Sequence, residues 1–220
     1  MRNKNFITKI HNSTKRNYID RMVDDKVHCM KIAKKFAFDY WDGKRRYGYG
    51  GYKYIPGRLA SVALKIIKNY QLNNSSKILD VGCGKGYLLY EIKKILPKIN
   101  IYGFDISSYA IKNSKKEIKK YLFKFDARKK FPFQNNYFDL AISFGTLHNF
   151  KLPDLKKSVK EIQRVSKKKY IMVESFRNDQ ELFNLQCWAL TCQTFFSVSE
   201  WIWFYNYLGY TGDYEFIFFN

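Results

Sequence analysis

From residue 77 onward, short apolar runs alternate with stretches whose apolar positions recur every three or four residues. The runs 77–81, 101–105, 122–125, 138–143 and 170–174 read as strands, because they are short, rich in Ile, Val, Leu, Phe and Tyr, and nearly continuous in apolar character. The segments between them, near 87–96, 107–121 and 152–166, show helical spacing. After Glu174 come two further helical stretches, 179–192 and 199–208, and a last strand, 214–219. This alternation predicts an α/β fold, a doubly wound and mostly parallel sheet with helices on both faces. Ligands of such sheets bind beyond the carboxyl ends of the strands, so the residues just after each strand are the functional candidates. The helix at 179–192 exceeds a minimal alternation and is expected to cover that end.

Residues 1–56 carry no strand signal and are expected to form an N-terminal helical and loop segment, a lid over a domain spanning 57–220. Ile19, Met22, Val23, Val27, Met30, Ala33 and Phe36 recur at helical spacing and predict one amphipathic helix. The aromatic, basic and glycine-rich stretch 40–52 predicts a loop, which Pro56-Gly57 punctuates. Leu59, Val62, Ala63, Ile66, Ile67 and Tyr70 then mark a second helix.

The most informative motif is Ile78-Leu79-Asp80-Val81-Gly82-Cys83-Gly84-Lys85-Gly86, a strand entering a glycine-rich turn and then a helix. Glycine belongs where backbone turns tightly and must approach a ligand without a Cβ. A phosphate-binding loop needs Ser or Thr after the lysine, and here Gly86 follows Lys85; a dinucleotide fingerprint needs G-x-G-x-x-G, and the spacing here is G-x-G-x-G. Asp105 ends the next strand, where an acid can accept hydrogen bonds from both hydroxyls of a ribose. The competing role is a cap on the following helix, although Ser107 suits that better.

These residues resemble motif I of class I S-adenosylmethionine-dependent methyltransferases. The resemblance extends over roughly 57–215: Asp126-Ala127 ends the third strand, Phe138 to Ser143 is similar to the family's fourth strand, and the segment Gly145-Thr146-Leu147-His148-Asn149 follows it. It implies the Rossmann-like methyltransferase fold and S-adenosyl-L-methionine as cofactor. The cofactor residues it implies are Asp80, Gly82, Cys83, Gly84, Gly86, Asp105, Ile106, Asp126, Ala127 and Phe144. The chain departs from the family at its end, where one strand follows the last helix, leaving the sheet edge open to question. A weaker resemblance links the chain to methyltransferases of bacterial capsule and lipopolysaccharide gene clusters.

Methyl transfer to a hydroxyl needs alignment and removal of a proton. His148 is the leading candidate base and Glu174, ending the fifth strand, the alternative. Arg45, Arg46, Tyr47, Tyr49 and Arg58 join phosphate-binding forks to aromatic platforms and are candidates for an anionic substrate; alternatively their charges lie in water.

Composition narrows the partners. Forty Lys and Arg against 19 Asp and Glu give a net charge of +21, but Lys dominates and is scattered over most of the expected helices. That favours an anionic small molecule, with an RNA or protein methyltransferase as the alternative; no separate nucleic-acid module is visible, and no specific nucleic acid is expected. No apolar run is long enough for a bilayer. The four cysteines lack zinc spacing, no metal is expected, and reduced thiols without a signal peptide predict a cytoplasmic location.

Overall fold

The computed structural model describes residues 1–49 and 52–220; Gly50 and Gly51, within the expected glycine-rich loop, lie outside the described residues. The N-terminal segment carries short helices α1 (Thr8–Asn12), α2 (Tyr18–Val23), α3 (Lys26–Ala33) and α4 (Phe38–Trp41), then a 3-10 turn at Arg45–Tyr47. Next come α5 (Ala60–Tyr70), β1 (Lys77–Val81), α6 (Tyr87–Ile95), β2 (Asn100–Asp105), α7 (Ser108–Lys112), α8 (Lys116–Lys119), β3 (Leu122–Lys124) and β4 (Phe138–Phe144). A 3-10 turn at Leu147–Asn149 leads to α9 (Leu152–Val165), β5 (Ser166–Glu174), α10 (Asp179–Trp188), α11 (Val198–Tyr207) and β6 (Asp213–Ile217).

The strands form one sheet in the order β3-β2-β1-β4-β5-β6, with every pairing parallel. Side chains alternate between its two faces. Ile78, Ile101, Leu140, Ile142 and Tyr170 face α5 and α6, whereas Leu79, Phe104, Phe138, Ala141, Ile171 and Val173 meet α9 and α11 around the fully buried Trp201. Helix α9 opens on a proline, where a missing N–H is harmless, and buries Leu155, Val159, Ile162 and Val165 at helical spacing. The chain runs outward through β2 and β3 on one side of β1 and through β4 on the other. The crevice at this reversal is where a parallel sheet receives its ligand.

Three expectations need correction. The long N-terminal helix is two helices, broken at Asp24-Asp25, where Asp25 takes a left-handed backbone with φ 39°. Ile19, Met22 and Val23 are exposed, because α2 instead turns Arg21 inward to donate to the carbonyls of Arg45 and Gly48, and Val27 on α3 is exposed as well. The expected helix at 107–121 is likewise split into α7 and α8.

The questioned sheet edge has a partner. Lys4 N–H donates to the Tyr214 carbonyl at 2.8 Å, and Tyr214 N–H to that of Arg2 at 3.1 Å. The buried Glu215 carboxylate accepts the N–H groups of Phe6, Ile7 and Thr8, with the hydroxyls of Thr8 and Tyr170. The start of the chain thus docks on the last strand. Helix α10, capped by Asn178, packs on α2.

Candidate active site

Beyond β1 the chain turns through Gly82 (φ 78°) and Gly84 (φ 55°), both in the left-handed region. A Cβ on Gly82 would lie 2.2 Å from Thr146 Oγ1, and one on Gly84 2.7 Å from the Trp41 ring, so space and backbone both require glycine. Gly86 is left-handed too (φ 70°), and its Cβ would press on the Leu122 and Ile118 side chains rather than on the cavity side. The Gly82 and Cys83 N–H groups both donate to the Phe104 carbonyl, tying the turn to β2.

Asp105 stands at the join. One carboxylate oxygen accepts Gly84 N–H at 2.9 Å and the other Ser107 N–H at 2.8 Å, while Ser107 itself caps α7. Each oxygen keeps a lone pair for another donor. Burial raises the Asp105 pKa and the two N–H donors oppose that rise. Asp80 is buried behind the turn with Oδ1 lacking any hydrogen-bond partner. Burial, and then the charge of Asp105, push its carboxyl up to about 8.

A cavity of about 480 Å³ opens at the carboxyl ends of β1, β2, β4 and β5. Gly82, Asp105, Ile106, Asp126, Ala127, Phe144, His148 and Glu174 line it, with Phe36, Tyr40, Trp41, Tyr49 and Tyr52 from the N-terminal segment. A second hollow of about 290 Å³ shares Gly82, Phe144, Trp41 and Tyr52 and adds Asp80, Cys83 and Gly84. The Cys83 thiol is pushed well above its usual range by burial. Asp126 is clasped by Arg128 at 2.7 Å, which leaves fewer lone pairs for a ligand. Of the ten expected cofactor residues, all but Gly86 line one of these two hollows.

His148 and Glu174 face each other in the wall of this cavity. Glu174 N–H donates to His148 Nδ1 at 3.3 Å, so that nitrogen is an acceptor and the ring proton sits on Nε2. Nε2 lies 3.4 Å from Glu174 Oε2. Full burial drives the imidazole down to about 3, so it is neutral and already spends its lone pair on backbone. Glu174 Oε2 is buried without a hydrogen-bond partner. Burial pushes this carboxyl up to about 7, opposed by the charge of Arg16.

The expected substrate residues divide. Arg45, Tyr49 and Arg58 line a third hollow, of about 440 Å³, which also contains Glu174. Arg46 does not join them, because it pairs with Asp24 at 2.7 Å. Tyr47 packs edge-on against His28 instead. Trp41, Phe36, Tyr40, Arg16 and His11 were missed as site residues. Trp41 donates to the Phe36 carbonyl and to Ser107 Oγ, which locks the N-terminal segment over the glycine turn. Its place in an aromatic run was the only available signal. Among the described residues, no group of three or more His, Cys, Asp or Glu is placed to hold a metal ion, and no helix is long and apolar enough to cross a membrane.

Residues 72–211 match the family described as methyltransferase domain, well over half of the chain. The chain belongs to this family. Methyltransferases of this class draw their methyl group from S-adenosylmethionine, which is the cofactor of this domain. The orphaned Asp80 oxygen, the glycine turn and the paired hollows fit such an elongated cationic ligand. The methyltransferase is 29% identical over 134 residues to mouse "Arginine-hydroxylase NDUFAF5, mitochondrial", covering 60% of this chain and 36% of that protein. It is 27% identical over 145 residues to a Thermotoga maritima demethylmenaquinone methyltransferase, covering 66% and 59%. The chain therefore spans less than two thirds of these relatives' length. The solved YcgJ protein of Bacillus subtilis superposes with a TM-score of 0.51 at 19% identity over 66% of each chain, a shared fold.

Proposed function

We propose that this methyltransferase moves the methyl group of S-adenosylmethionine to an oxygen or nitrogen of a small anionic metabolite, with Glu174 as the base. The observation that carries the reading is Glu174 Oε2, buried and unpartnered in a wall common to the cofactor cavity and the arginine-lined hollow. In this reading Asp105 holds the ribose, Ile106, Phe125, Asp126 and Ala127 surround the adenine, and Asp80 receives the ammonium group beside Gly82, Cys83 and Gly84. The bound sulfonium supplies a methyl carbon that already carries its leaving group. The chain's own task is then to exclude water, align the acceptor and take its proton. Glu174 accepts that proton on Oε2, while His148 Nε2–H, 3.4 Å from that oxygen, is placed to hydrogen-bond and orient the carboxylate once it ionises. Residues 1–56 act as the lid, since Trp41 and Tyr52 wall both cofactor hollows.

Sugars, nucleotide-linked sugars and phosphorus-containing metabolites, including those of capsule and lipopolysaccharide synthesis, are the acceptors to assay. Radiolabelled methyl transfer to such a panel tests the reading, with calorimetry for the cofactor. The expected result is binding of S-adenosylmethionine, none of NAD, and label in an anionic small molecule. The net charge of +21 favours a second reading, methylation of RNA or protein; label accumulating in bulk RNA or protein at useful rates would overturn the small-molecule acceptor.

A further inference from the structure

Arginines around the N-terminal segment fall into two kinds. Arg21 spends its donors on the carbonyls of Arg45, Gly48 and Trp188, and Arg46 holds Asp24. Both have partners that offset their charge or use most of their donors, although Arg46 Nε, like that of Arg16, is buried without one. Arg16, Arg45 and Arg58 are different. They line one hollow, and among the described residues none forms a salt bridge. Glu174 is the single acid in the lining.

Arg16 is the most constrained of the three. Its guanidinium lies 5.2 Å from the Phe219 ring centroid and 5.6 Å from that of Trp188. Nη1 donates to the Thr14 carbonyl, and Nη2 to the His11 carbonyl and to His11 Nδ1. His11 Nε2 in turn donates to the Phe218 carbonyl at 2.7 Å, which fixes Nδ1 as the acceptor. Burial and the neighbouring Arg16 charge hold this imidazole down at about 4, so it adds no charge of its own. Arg16 is thus held in place by uncharged groups, while Nε is buried with no partner. Arg45 lies over the same Trp188 ring at 5.4 Å. A pre-oriented planar fork with an unused donor suits a carboxylate or phosphate, and stacking on aromatic rings keeps its charge uncancelled.

Resting on the acceptor reading above, we infer that Arg16, with Arg45 and Arg58, forms an oxyanion subsite for a carboxylate or phosphate of the methyl acceptor. The acceptor's apolar body faces Met172 and Ile217, and its nucleophile reaches Glu174. This selects an amphipathic small acid or phosphate ester over a neutral sugar or a polyanionic strand.

Calorimetry on the full chain with phenyl phosphate, benzoate and benzyl alcohol, at one ionic strength, tests it. At least one anion should bind tenfold or more tightly than the alcohol, and the preferred anion tells phosphate from carboxylate. Arg16→Ala should weaken that anion at least tenfold with S-adenosylmethionine affinity unchanged, and Arg46→Ala should leave it alone. Because Arg16 also ties down Thr14 and His11, Arg58→Ala provides a second variant if Arg16→Ala does not fold. Equal binding of the alcohol, or unchanged anion affinity in the variants that fold, would overturn the subsite. Methyl transfer and cofactor binding, measured separately, would then still stand or fall on their own.

Discussion

The two halves of the site are built on different principles. On the sheet side, from Asp80 to Glu174, position is set by backbone: glycines in left-handed conformation, two N–H groups on one carbonyl, and a carboxylate bridging two turns. On the N-terminal side it is set by side chains, aromatic rings packed on one another and guanidinium groups without acidic partners. A cofactor that never varies can be met by fixed backbone. An acceptor that differs between enzymes of one fold is met by side chains, which change singly without moving the sheet.

Breaking the chemistry where the halves meet should give the largest effect. Glu174→Gln should lower turnover by about 10²–10⁴ in methyl-transfer assays with cofactor affinity intact. Activity should rise with pH through about 7 as this carboxyl ionises, a limb the variant should lack. Stability runs the other way. The folded carboxyl titrates above its ordinary 4.5, so its contribution is present below that value and lost as pH rises through about 7. Glu174→Gln should therefore raise Tm at pH 8 and hardly change it at pH 5; a matched drop at both would remove the burial argument.

On the sheet side, Asp105→Ala should weaken S-adenosylmethionine by about 1.5–3 kcal/mol in calorimetry, the scale of hydrogen bonds to a charged group. Tm should fall too, because Gly84 and Ser107 lose their acceptor. A smaller change is expected for His148→Ala. About a tenfold loss of kcat would fit a residue that orients Glu174, whereas a loss as large as that of Glu174→Gln would restore His148 as the base. The smallest effect belongs to Arg46→Ala, whose acceptor KM should stay within about twofold while Arg45→Ala raises it; both statements follow charge-assisted contacts made or not made.

The same contrast explains what was legible in the sequence. Strands β1, β2, β4 and β5 announced themselves because buried parallel strands must be continuously apolar. The turn at Gly82 and Gly84 was legible because no other residue tolerates its backbone and its neighbours. The N-terminal helix was misread because its periodic apolar residues, Ile19, Met22, Val23 and Val27, point outward while Arg21 points in. Periodicity assumes that charge seeks water, and a guanidinium that finds three carbonyls escapes that assumption. Arg16 gave no signal, since its setting depends on His11 and Phe219, distant in sequence from one another. The sequence could name His148 and Glu174 as candidates but not choose between them, because only a three-dimensional contact shows which imidazole nitrogen is taken.

The grip of Glu215 on Phe6, Ile7 and Thr8 also orders events in time. Those N–H groups leave the ribosome before their acceptor, which lies 207 to 209 residues further on, so this contact closes a very long loop. Helix α1 cannot settle, nor His11 and Arg16 behind it, until β6 has joined the sheet. The glycine turn and β1 to β4 need no such wait. A nascent chain stalled before Asp213 would carry β1 to β5 but lack the strand on which α1 docks.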